Sequence, residues 1–173
     1  LVNPVKAPTK NRHFMADGGN AVKPFTVAAG EVDLTTTDLF KMDTVDGIRT
    51  YMEQIALPPP PVIFEGDKAA TDSPLRVLLV SPAQYSGFAT DPNFRSFQAS
   101  AMARAGQANN HPLFLGEAGL WNGILIVKMH KPIRFYAGDT IKYCADFDTE
   151  TESSCIVPAS FGTNFAVHRA ILL

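Results

Sequence analysis

The pair Asn122-Gly123, set between Gly119-Leu120-Trp121 and the apolar run Ile124-Leu125-Ile126-Val127, constrains this chain more than any other stretch. Both residues of the pair tolerate positive φ at little cost, so a tight reversal is expected there. The run that follows, through Met129, reads as a strand. Gly116 and Gly119 let the backbone leave the preceding Leu113–Leu115 segment sharply, and Trp121, the single tryptophan, is expected to anchor the bend by packing. Gly116, Gly119, Trp121, Asn122 and Gly123 are therefore expected to act structurally. The glycines do not spell G-x-G-x-x-G, and they precede a strand instead of opening a helix after one, the wrong context for a dinucleotide site.

Elsewhere the pattern alternates between helical and extended. Residues 1–30 carry Pro4, Pro8, Pro24, Gly18, Gly19 and Gly30 without helical periodicity, and read as an extended or looping segment with a turn at Asp17-Gly18-Gly19-Asn20. Leu39, Met42, Val45, Ile48, Met52 and Ile55 recur at helical steps and predict a helix over 36–55. Thr35, Thr36 and Thr37 offer caps, Asp38 adds favourable charge near the helix start, and Gly47 would loosen the interior. The run Pro58–Pro61 reads as a stiff linker. Leu75–Val80 reads as a buried strand, after which Ser81-Pro82 and again Asp91-Pro92 are helix-start signals. Phe94, Phe97, Ala101 and Met102 form the expected buried stripe of the second of these helices, with Gly106 as its stop. Pro132–Tyr136 and Thr140–Cys144 predict a hairpin about Ala137-Gly138-Asp139, Asp146–Ser154 an exposed acidic loop, and Phe165–Leu173 a last strand. Such a mixture, without strict strand–helix alternation, is α+β.

Little in the sequence points to chemistry. His13, His111, His130 and His168 fall in separate predicted elements, without metal-ligand spacing to one another or to Cys144 and Cys155, and read as structural residues. Ser81, Ser86 and Ser96 lack a nucleophile elbow, and no phosphate-binding loop is present. Asp146, Asp148, Glu150 and Glu152 alternate in one loop, but the glycine and terminal glutamate of a calcium-binding loop are missing, so a solvated loop is the simpler reading. No catalytic residue, cofactor or metal is expected.

With 46% hydrophobic residues, 18% charged and a net charge of −2, the chain has material for a core and lacks the basic face of a general nucleic-acid binder. Lys6, Lys10, Arg12 and Lys23 are spaced as in a solvated arm. No signal peptide is read, and the longest apolar run is too short to span a bilayer. Two cysteines without a glycosylation sequon fit a reducing origin, with a Cys144–Cys155 disulfide as the alternative. The strongly apolar end, Ala166–Leu173, suggests an internal fragment of a longer protein.

The order of these elements carries a resemblance. A capped helix leads to a strand ending in Ser81-Pro82. A helix carrying Asp91-Pro92-Asn93-Phe94-Arg95 follows, and Pro112-Leu113-Phe114-Leu115-Gly116 then leads to Gly119-Leu120-Trp121-Asn122-Gly123-Ile124. This resembles the major capsid protein of tailed bacteriophages with the Hong Kong 97-type fold, and more closely the coat proteins of N-four-like podophages, from about Thr9 to Leu173. The resemblance implies a structural, non-enzymatic subunit. Such a subunit assembles with itself into pentamers and hexamers of an icosahedral shell around double-stranded DNA, in the host cytoplasm and then in the virion. Neighbouring subunits, portal, scaffold and decoration proteins are the implied partners, with no specific nucleic-acid recognition and no membrane. It also implies mainly an axial domain with part of a peripheral one: an arm or connector over 1–32, then a capsid-like α+β domain over 33–173, truncated at its C-terminus. The family's own N-terminal arm, extended loop and long spine helix are not read here. The competing expectations are the shell of a non-phage compartment, a decoration protein, or a hydrolase with a dispersed site using His111, His130 or His168.

Overall fold

The computed structural model describes residues 12–19, 21–55, 76–104, 118–146 and 151–173. In chain order the first elements are β1 (Phe14–Asp17), β2 (Ala21–Pro24), β3 (Val27–Ala28), β4 (Glu31–Val32) and α1 (Met42–Gln54). Then come β5 (Arg76–Val80), α2 (Pro82–Ala89), α3 (Pro92–Arg104), β6 (Ala118–Trp121) and β7 (Ile124–Lys128). The last are β8 (Ile133–Tyr136), β9 (Thr140–Asp146), β10 (Thr151–Ile156), β11 (Ala166–Arg169) and β12 (Ile171–Leu172). The chain is α+β, and it divides into two compact units: Leu1–Leu39 with Arg134–Val167, and Phe40–Ile133 with His168–Leu173.

In the first unit β1 and β2 form an antiparallel hairpin, with Phe14 opposite Pro24 and Asp17 opposite Ala21. The stretch through residues 1–30, expected to be extended or looping, is thus strand and turn over most of its described part. Asp17-Gly18-Gly19 does turn, because the Asp17 carboxylate accepts the Gly19 N–H at 3.1 Å and Asp38 accepts the Gly18 N–H at 2.8 Å. A four-stranded sheet runs β3-β4-β10-β9, and β8 pairs with β11. The core of this unit gathers Met15, Phe25, Val32, Ile141, Cys155, Val157 and Phe161.

Two sequence expectations in this unit are corrected. The Ala137-Gly138-Asp139 turn exists, with Asp139 N–H donating to Tyr136 O at 2.9 Å, but β8 and β9 do not pair across it. Gly138 N–H donates instead to Val157 O and Val157 N–H to Asp139 O, both at 3.0 Å, so the turn is tied to the chain beyond β10 and the two strands join different sheets. Of the acidic stretch expected to be loop, the described residues are strand: β9 continues to Asp146, and Thr151–Ile156 pair with it, Thr151 opposite Asp146 and Ile156 opposite Thr140. Alternation there places Cys155 in the core while Glu152, Ser154 and Ile156 face out, a polar-out pattern that composition alone reads as loop.

The second unit is built on the sheet β12-β5-β7-β6. β5 and β7 are parallel, with Arg76 beside Ile124 and Val80 beside Lys128, whereas β6 and β12 join antiparallel. Parallel neighbours need a long crossover, and α2 and α3 lie within it. Leu78, Val80, Ile124 and Ile126 stand on one sheet face and pack with Phe40, Met42, Val45, Phe88 and Phe94. The helix-start signals are found where expected. Ser81 Oγ accepts the Gln84 N–H at 3.2 Å and Gln84 Oε1 accepts the Ser81 N–H at 2.9 Å, a reciprocal capping box with proline at the first position of α2. Gly87 of α2 rides against the backbone of Phe40, where a Cβ would lie 2.8 Å from the carbonyl oxygen.

Here too the structure redraws expectations. α1 begins at Met42, not at the threonines. Asp38 turns back on its own loop, accepting from Thr35 N–H at 2.8 Å, and Leu39 is 57% exposed. Gly47 sits within α1 without ending it. On α3, Phe94 is buried but Phe97 is 53% exposed. The last strand is two: β11 pairs with β8, and β12 pairs with β5 with Ile171 opposite Leu79. Pro58–Pro61, Gly106, His111 and the Leu113–Gly116 segment lie outside the described residues.

Candidate functional site

The tight turn begins from backbone chemistry. Asn122 and Gly123 have φ of +47° and +71°, the left-handed pair that joins two antiparallel strands in two residues. The strands it joins are β6 and β7, with Trp121 opposite Ile124 and Gly119 opposite Ile126. The stretch before the turn is therefore strand, where the sequence suggested only a connector. Trp121 Nε1 donates to Asp46 Oδ1 on α1 at 2.7 Å, and Asn122 Nδ2 donates to the same oxygen at 3.0 Å. Phe97 of α3 lies tilted on the Trp121 ring at 5.2 Å between centroids. One carboxylate thus holds the tip of the hairpin to α1 through charge-assisted bonds. Of the five residues singled out in the sequence, Trp121, Asn122 and Gly123 meet at this corner, Gly119 sits within β6, and Gly116 lies outside the described residues.

This corner is a clamp: one oxygen of its carboxylate is engaged by two donors, and among the described residues no histidine or nucleophile bonds to it. The histidines are scattered. His13 stacks on Phe25 at 3.9 Å with an interplanar angle of 8°, His130 is exposed, and the His168 carbonyl accepts from Gln84 Nε2 at 3.3 Å. Cys144 and Cys155 are buried thiols on paired strands, and Cys155 Sγ reaches Ile141 O at 3.7 Å. Glu152 faces Lys142 at 3.9 Å across β9 and β10, while Asp148 and Glu150 lie outside the described residues. Among the described residues no group of three or more His, Cys, Asp or Glu is placed to hold a metal, and no helix is long and apolar enough to cross a membrane.

Several residues matter that sequence reasoning passed over. Asp46 carries no signal of its own in the sequence, and no local pattern announces its pairing with a tryptophan 75 positions away. Asp91, buried, accepts the Asn93 N–H at 2.9 Å and also the Met42 N–H at 3.2 Å, so it serves the starts of both α3 and α1. Its cap on α3 was legible from Asp-Pro; its bond to α1 was not.

A family model described as phage capsid protein matches residues 1–173, the whole length. The chain belongs to the phage capsid protein family. The capsid protein is accordingly a structural protein of the virion, and its membership points away from catalysis. No curated protein and no solved structure matches it.

Proposed function

We propose that the capsid protein is the major head subunit of a tailed phage, assembling with itself into pentamers and hexamers of an icosahedral shell around double-stranded DNA. The observation that carries this reading is the family match over the whole chain. The order of elements supports the finer assignment to the Hong Kong 97-type fold of N-four-like coat proteins. A buried strand ends in Val80, Ser81-Pro82 opens a helix, and a second proline-led helix precedes the hairpin that enters β7. Mainly an axial domain with part of a peripheral one would correspond to the present residues. A net charge of −2 suits a shell that encloses DNA without gripping it, since each neutralised phosphate adds salt-dependent affinity. Exposed Phe97, Tyr136, Ile156 and Phe165 suit a subunit that meets neighbours. Portal, scaffold and decoration proteins are the further partners in this reading, and the host cytoplasm is the place of assembly. Electron microscopy of the purified full-length protein tests it. Closed shells are expected, and monomers persisting across salt concentrations would overturn it.

A further inference from the structure

Arg76 opens β5, and it is buried: only 9% of its surface is exposed. Its N–H donates to Gly123 O at 2.9 Å, which places it at the end of the sheet where the β6–β7 turn lies. Alternation along the strand puts its side chain on the face of Leu78 and Val80, the face that packs against α1. Neither Nε nor Nη1 has a hydrogen-bond partner, although both atoms are out of solvent. Burial, and then the field of Arg49 on α1, push the guanidinium below its ordinary range. Arg49 is itself engaged, its Nε donating to Glu53 Oε1 at 2.7 Å. A guanidinium cannot shed its proton in a protein, so Arg76 is a buried cation in the field of a second one, without a counter-ion among the described residues. An uncompensated buried charge is among the costliest arrangements a fold can hold, and the described residues of the subunit supply no anion to this one.

We propose that Arg76, with Arg49 beside it, is a receptor for a carboxylate of a second copy of the chain, filled on assembly. The assignment rests on the reading that the protein self-assembles. The occupant is argued from charge complementarity: each copy carries 17 acidic against 15 basic residues and exposes carboxylates such as that of Asp43. Guanidinium and carboxylate match in shape and charge, which makes Arg the residue suited to interface ion pairs.

The test compares the full-length wild-type protein with Arg76→Met and Arg76→Lys, measuring the melting temperature of the unassembled subunit and the yield of particles. Methionine keeps the apolar stem and removes the unpaired charge. The unassembled R76M subunit is expected to melt no lower than wild type, while its particle yield falls about tenfold or more, because the neighbour's carboxylate then loses its partner. R76K, which keeps the charge, is expected to assemble at an intermediate level. A melting temperature several degrees lower for unassembled R76M would place the counter-ion within the same chain and overturn the proposal. So would wild-type particle yield from R76M. Inorganic phosphate that raises the melting temperature of unassembled wild type, and not of R76M, would assign the site to a free anion instead. Wild type that never assembles would remove the assembly reading itself, whereas equal assembly of wild type and R76M removes only this assignment.

Discussion

Ala29 holds a φ of +52° in the two-residue turn between β3 and β4, beside Gly30 at +84°. A left-handed alanine pays for its Cβ, so Ala29→Gly is expected to stabilise the protein by about 0.5–1 kcal/mol, read from urea unfolding. The mirror case is Gly123, where valine would force a β-branched side chain to a φ of +71°. Gly123→Val is expected to lose at least about 1–2 kcal/mol and to lower particle yield; an unchanged melting temperature with normal particles would refute it. Asp38 sets a pH dependence. Burial raises its pKa, but bonds from the Gly18 and Thr35 N–H groups and the Thr35 hydroxyl, with Lys23 nearby, outweigh burial and hold it below the ordinary 3.8. The ionised form is thus favoured on folding. Its contribution is complete above 3.8 and disappears as pH falls through the lower folded value. Asp38→Asn should be the less stable protein at neutral pH, and the gap between it and wild type should close in strong acid. A gap that persists unchanged in acid would show that the carboxylate's charge plays no part.

At the scale of elements, the legible starts were those capped from nearby. Ser81-Pro82 and Asp91-Pro92 carry acceptor and proline within the same few residues, so pattern and structure agree. α1 starts later than its threonines suggest because its first amide is met by Asp91, 49 residues along the chain, and by no hydroxyl beside it. Asp91→Ala should therefore cost about 2–4 kcal/mol, combining a lost cap on α3 with a buried Met42 N–H left unmet. Hydrogen exchange should quicken at Met42 as well as at Asn93; quickening at Asn93 alone would limit Asp91 to a local cap. Strand pairing was less legible than strand existence. The sequence around Gly138 contains a sound turn, yet the strands on either side part company because Val157 takes the turn's hydrogen bonds. Residues 151–156 escaped notice for a related reason, since a half-exposed strand rich in Thr, Glu and Ser has the composition of a loop.

At the scale of the molecule, each unit has its own core, drawn from two separated stretches of chain. Ile126, fully buried in the second, is a measure of that core: Ile126→Ala should cost about 2–5 kcal/mol. Faster exchange is expected across the described residues of this unit, with loss confined to β7 as the outcome that would count against a shared core. By itself the sequence determined the mixed class, the strand 76–80, the two proline-led helices and the reversal at Asn122-Gly123. Each of these rests on neighbours in the chain: caps, fixed φ, apolar runs. Only the tertiary structure decided that Asp46 holds Trp121, that Asp91 starts α1, that β8 leaves β9 for β11, and that Arg76 is buried beside another arginine. Those depend on which distant groups meet, and hydrogen bonds and desolvation act on distance in space, of which one chain's order carries no record.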